Sequence, residues 1–151
     1  MFTEVPTVNI SDITFNGCKI SLVIGETDIV VNAEFIRNSF VNNTCSTDDP
    51  VLSIIISTSV TTAKIEIKQC IFADNCLGKN ATIYSYGNNL TVDQSIFKNN
   101  FVNSSDPDGG GALYYYSSLG YLNIVNSNFS NNEIASNMVE LLSSIVEGKQ
   151  R

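Results

Sequence analysis

Carboxylates are the residues of this sequence with the clearest capacity for chemistry. Asp48 and Asp49 precede Pro50, Asp106 and Asp108 flank Pro107, and Asp74 lies between the two groups. Clustered carboxylate oxygens suit a Ca²⁺ cage. A pair about 6.5–9.5 Å apart suits inverting glycoside hydrolysis, and Asp74 with Asp49 or Asp106 is the candidate pair. The helpers of that chemistry are missing. The chain has no His, its only arginines are Arg37 and Arg151, and no Asp-Asp pair is joined to a Gly-His-Gly. A polysaccharide lyase would want a basic residue beside an acidic metal site, and none is evident. The preferred reading is of solvated turn aspartates on a strand-rich surface. No catalytic residue, metal or cofactor is expected.

Three other groups carry chemistry. The cysteines are Cys18, Cys45, Cys70 and Cys76. Their spacing is not a zinc pattern, and no His is available to complete one. Six N-x-[ST] sequons occur, at Asn9, Asn42, Asn80, Asn89, Asn103 and Asn128. They are candidate glycosylation sites if the protein is secreted, and they also follow from a chain that is simply rich in Asn. The run Tyr114-Tyr115-Tyr116 could offer an aromatic platform, but the preferred reading is a core strand with a Tyr or two exposed. A strand alternates faces, but the run alone does not say which parity faces out.

Composition says what must hold these residues. The chain has 151 residues, a net charge of −7, 19 Asn and 18 Ser, and only 15% charged residues. Asn, Ser and Thr compete with a helix through local side-chain bonds, and they suit short strands joined by many turns. An acidic chain has no electrostatic footprint for nucleic acid. No apolar run approaches the roughly 18 residues of a membrane span. Met1-Phe2-Thr3-Glu4-Val5-Pro6 has no basic start and no long apolar run, so it does not read as a signal peptide. A cytosolic protein, or a piece of a longer one, is the expectation.

The organising element is a repeat. Phe15, Phe40, Phe72, Phe97 and Phe129 are spaced by 25, 32, 25 and 32 residues. Three residues after each Phe come Cys18, Asn43, Asn75, Asn100 and Asn132. Five before each Phe lie Ile10, Phe35, Ile67, Val92 and Ile124. Seven before lie Val8, Ala33, Ile65, Leu90 and Leu122, with a polar residue between each pair. Period-two alternation is a half-buried strand. The Phe enters the same interior and the Asn closes the unit at a turn. A second apolar run follows each turn: 20–24, 51–56, 81–86, 112–116 and 138–142. The last of these also has helical spacing; its alignment with 112–118 favours a strand, and a short capping helix stays open.

One unit cannot bury its own apolar face. Stacked every ~4.8 Å, each strand pairs in parallel with its copy in the next coil, and the interior becomes one column. The Phe residues then form an internal stack and the Asn residues a hydrogen-bonded ladder. Cys45 and Cys76 come near stacked positions in adjacent coils, within reach of a disulfide. Cys70 reads as a small core thiol. The residues added after the second and fourth Phe should project from one corner.

Phe40-Val41-Asn42-Asn43, Phe72-Ala73-Asp74-Asn75, Phe97-Lys98-Asn99-Asn100 and Phe129-Ser130-Asn131-Asn132 match F-x-x-N, and Gly110-Gly111-Ala112-Leu113 matches G-G-A-[ILV]. From about Val8 to Leu142 the chain resembles the repeats of chlamydial-type polymorphic outer membrane proteins and related protist surface proteins, within the pectin-lyase-like β-helices. Two departures stand out: Cys18 replaces the first Asn, and the Gly-Gly-Ala motif occurs once. The resemblance implies an extracellular, adhesin-like passenger.

The expected fold is all-β, a right-handed parallel β-helix of about five coils. Residues 1–151 form one segment, and the short flanks predict a piece of a longer solenoid. The expected role is a non-catalytic stalk or adhesive segment of a surface or secreted protein, with a host or cell-surface protein or glycan as candidate partner. A polysaccharide lyase or glycoside hydrolase of the same fold is the alternative.

Overall fold

The computed structural model describes residues 7–17, 22–24, 32–44, 52–55, 63–78, 81–87, 89–103, 111–117 and 120–134. All their regular structure is strand, and every pairing is parallel.

The repeat becomes a cycle of short strands. The first cycle holds β1 (Thr7–Ser11), β2 (Thr14–Asn16) and β3 (Leu22–Ile24). The next holds β4 (Asn32–Ile36), β5 (Ser39–Val41) and β6 (Leu52–Ile55). Then come β7 (Lys64–Lys68), β8 (Ile71–Ala73), β9 (Cys76–Leu77) and β10 (Ile83–Tyr86). They are followed by β11 (Asn89–Asp93), β12 (Ile96–Lys98), β13 (Phe101–Val102) and β14 (Leu113–Tyr116). Last come β15 (Leu122–Val125), β16 (Asn128–Ser130) and β17 (Glu133–Ile134).

Equivalent strands stack into four sheets. The alternating strands form β1-β4-β7-β11-β15, the Phe strands β2-β5-β8-β12-β16, the later apolar runs β3-β6-β10-β14, and the shortest strands β9-β13-β17. This stack of parallel sheets is the arrangement of a parallel β-helix. Its register matches the sequence repeat residue for residue: Ala33 pairs with Ile65, Phe35 with Ile67, and Phe40 with Phe72. The run 138–142 lies outside the described residues.

Register makes the core. Phe35, Phe40, Ile65, Ile67, Phe72, Leu90, Val92 and Phe97 are all fully buried. The repeat Phe rings stack at centroid distances of 4.9, 4.9, 4.8 and 4.5 Å from Phe15 to Phe129. Those separations lie close to the strand spacing of about 4.8 Å, so the ring column follows the backbone ladder. Phe15 and Phe129, at the ends of the column, are only partly buried.

Gly111 explains part of the Gly-Gly-Ala motif. A Cβ there would lie 2.9 Å from the Glu133 backbone oxygen and 3.0 Å from its nitrogen. The following repeat passes too close for any side chain.

Candidate functional site

Two sharp corners flank each Phe strand, and both put a residue in the left-handed backbone region. At the first corner these residues are Asp12, Arg37, Gln69, Gln94 and Asn126; at the second, Gly17, Asn42, Asp74, Asn99 and Asn131. Asn and Asp tolerate this conformation better than other side chains, and Gly meets no barrier there. The second corner uses only those three types.

The residue after the second-corner turn is the repeat Asn in the four repeats that follow the first. Asn43, Asn75 and Asn100 are buried. Asn75 Oδ1 accepts from the Asn43 backbone N–H at 3.0 Å and from Asn43 Nδ2 at 3.1 Å. Asn75 Nδ2 donates to the Phe40 carbonyl at 3.0 Å and to Asn100 Oδ1 at 2.8 Å. Asn100 repeats the pattern with the Phe72 carbonyl at 3.0 Å and Asn132 Oδ1 at 2.8 Å. Each amide thus satisfies turn groups that no strand ladder reaches, which is what buried polar groups require.

The first corner carries a second ladder that no uniform residue type announces in the sequence. Asn38 Oδ1 accepts from the Ile13 N–H at 3.1 Å, and its Nδ2 donates to the Ile10 carbonyl at 2.7 Å. Ser95 Oγ accepts from the Cys70 N–H at 3.1 Å, and Ser127 Oγ from the Ser95 N–H at 3.1 Å. Asn and Ser do the same job, so only the position repeats. The Cys70 thiol is buried in this column, 3.4 Å from the Lys68 carbonyl. Desolvation pushes its pKa above the ordinary thiol value.

Outside, each sheet shows a different chemistry. On the alternating sheet Glu34 is in register with Glu66, and Lys68 Nζ bridges them at 2.9 and 3.3 Å. Lys64 adds a contact to Glu66 at 3.1 Å. Burial tends to raise the Glu66 carboxyl, but hydrogen bonds from both lysines outweigh it and hold the group below the usual glutamate range. Arg37 grips Asp12 through Nε and Nη2 at 2.6 and 2.7 Å, which lowers the Asp12 carboxyl. That pair is exposed and contributes little to stability.

The third sheet settles the tyrosine parity. Tyr115 points inward and is buried; Tyr114 and Tyr116 point outward. They stand over Tyr84 and Tyr86 in register. Tyr84 and Tyr114 stack at 4.9 Å and 8°, and Tyr86 and Tyr116 at 5.2 Å and 14°. One face of every ring is therefore covered by its partner. This outward tetrad is the most distinctive surface chemistry of the described residues. Sequence reading singled out Tyr114 to Tyr116 and missed Tyr84 and Tyr86. The signal was the shared apolar run, hidden because the loops before β10 and β14 differ in length.

Of the candidate carboxylates, Asp74 is exposed at a corner and accepts from Asn99 Nδ2 at 2.9 Å. Asp48, Asp49, Asp106 and Asp108 lie outside the described residues, as do Cys18 and Cys45. Cys76 is an exposed thiol on β9, and Thr44, the neighbour of Cys45, bridges to it in parallel. Of the sequons, Asn80 lies outside the described residues. Asn9, Asn42, Asn103 and Asn128 are exposed. Asn42 donates to Asn16 Oδ1 at 3.3 Å, and Asn89, half-buried, accepts from the Tyr121 N–H at 3.2 Å. Among the described residues there is no cluster of three or more His, Cys, Asp or Glu able to hold a metal ion, and no helix long and apolar enough to cross a membrane. Comparison with known proteins finds no matching family model, no matching curated protein and no matching solved structure.

Proposed function

We propose that the chain is a right-handed parallel β-helix of five coils, of the pectin-lyase-like kind, and that it serves as a non-catalytic stalk or adhesive segment of a surface or secreted protein. The observation that supports this reading is where the polar side chains are spent. Asn38, Asn43, Asn75, Ser95 and Asn100 are buried, and each has a side chain bonded to a neighbouring repeat. Asp74, the one described member of the candidate carboxylate set, is tied into a corner column by Asn99. A chain that invests its polar groups in its own stacking is suited to extend and to present a surface.

Two assays test it together. Beads coated with the purified protein should adhere to cells or to immobilised surface glycans above an albumin-coated control, or should show simple extension without adhesion if the stalk role is the whole of it. Incubation with acidic polysaccharides should release neither unsaturated products nor reducing ends. Catalytic release of either would replace the proposal with the enzyme reading.

A further inference from the structure

We infer that the outward tyrosine tetrad is a site of oxidative cross-linking, in which Tyr84 couples to Tyr114 and Tyr86 to Tyr116. The inference stands on the stacking geometry and is independent of what the protein adheres to. All six tyrosines of the chain lie between positions 84 and 121. Four of them form the two stacked pairs, one is buried, and Tyr121 belongs to neither pair and is 52% exposed.

Parallel pairing holds each couple on adjacent strands at the same register position. The near-parallel planes and centroids at 4.9 and 5.2 Å put the rings in offset contact. Tyr84, Tyr86 and Tyr114 are half-buried on the outward face and Tyr116 is 38% exposed, so a small oxidant has access.

The oxidant class is hydrogen peroxide, used by a haem peroxidase. One peroxide takes one hydrogen atom from each of two phenolic hydroxyls and is reduced to two waters. The two tyrosyl radicals then join through their ortho ring carbons. The two hydrogens on those carbons return to the oxygens, leaving a biphenol. The protein loses two hydrogens and gains one carbon–carbon bond between adjacent repeats. A partner held in contact acts at a high effective concentration, so coupling within the stack outruns coupling between molecules.

Lys79 and Lys98 make the test simple, because trypsin cuts after both and separates Tyr84 and Tyr86 from all the other tyrosines. The folded protein is treated with peroxidase and peroxide, digested, and analysed by mass spectrometry and biphenol fluorescence. The expected product is peptide 80–98 joined to peptide 99–149, short of two hydrogens for each bond, in a yield independent of protein concentration. Tyr121→Phe should leave the joint unchanged. Tyr114→Phe with Tyr116→Phe should abolish it, and so should Tyr84→Phe with Tyr86→Phe, which covers the case that one double variant misfolds. Absence of the joint in the folded wild type overturns the inference. So does a joint that grows with protein concentration, or one that survives in a folded double variant.

Discussion

Asparagine does two different jobs within a few ångströms here, and backbone position alone separates them. Asn42, Asn99 and Asn131 take the left-handed turn and are wet or partly so; Asn43, Asn75 and Asn100 follow it and are buried. Asn75 is bonded to both neighbouring repeats. Asn75→Leu keeps the bulk and strands the Asn43 amide, so it should cost about 1–3 kcal/mol. Urea denaturation measures it, and an unchanged midpoint would mean that water replaces the amide at no cost. Cys70 occupies the position that Ser fills in the next two repeats, and its N–H is served by Ser95 rather than by its own sulfur. Cys70→Ser should therefore change stability by less than about 1 kcal/mol, one ordinary hydrogen bond. In the reduced native protein a thiol reagent should label Cys76 well before Cys70, since burial disfavours the Cys70 thiolate. Equal labelling rates would show that the core opens readily.

At the scale of the element, the legible part of the fold was whatever repeats in residue type. The Phe, the alternating strand before it and the Asn after it recur by identity, and they give register as well as strand. The first-corner column of Asn38, Cys70, Ser95 and Ser127 recurs only by function, so composition hid it. The two-residue strands β9, β13 and β17 were hidden too, because Cys76-Leu77, Phe101-Val102 and Glu133-Ile134 share one inward apolar residue and little else. Of the surface site, the run 114–116 was visible, but its parity needed the inward placement of Tyr115. The charged face of the alternating sheet has a consequence for acid stability. Glu34 and Glu66 are like charges in register, tolerable because Lys68 lies against both. The Glu66 carboxyl is lowered in the folded state. Its contribution is complete above the unfolded glutamate pKa and is lost as pH falls through the lower folded value. Wild type should thus be more stable than Glu66→Gln at neutral pH, and the gap should close in acid below the ordinary glutamate range. Urea midpoints across that range decide it. A gap that persists at the acid end would assign the effect to packing instead of charge.

The whole molecule is close to one-dimensional: each repeat bonds chiefly to the repeats on either side of it. In such a stack, stability is a sum of repeat terms and nearest-neighbour interfaces. Burial follows that rule across the described residues. Ile65, Ile67, Leu90 and Val92 on the central strands of the alternating sheet are fully buried, whereas Val8 on β1 is 39% exposed and Ile124 on β15 is 37% exposed. The Phe column shows the same grading. Phe72 has a ring on each side, while Phe129 is seen to stack on Phe97 alone and is only partly buried. Phe72→Ala should therefore cost about 3–5 kcal/mol, the range for a core Phe truncation. Phe129→Ala should cost well under that, because it removes one interface and was never fully dry. Native-state hydrogen exchange should rank the amides the same way, with β7, β8, β11 and β12 slowest and β1 and β15 fastest. Equal penalties for the two Phe substitutions, together with uniform exchange, would show that the stack melts as a single cooperative unit and that its interfaces are strong enough to hide their position.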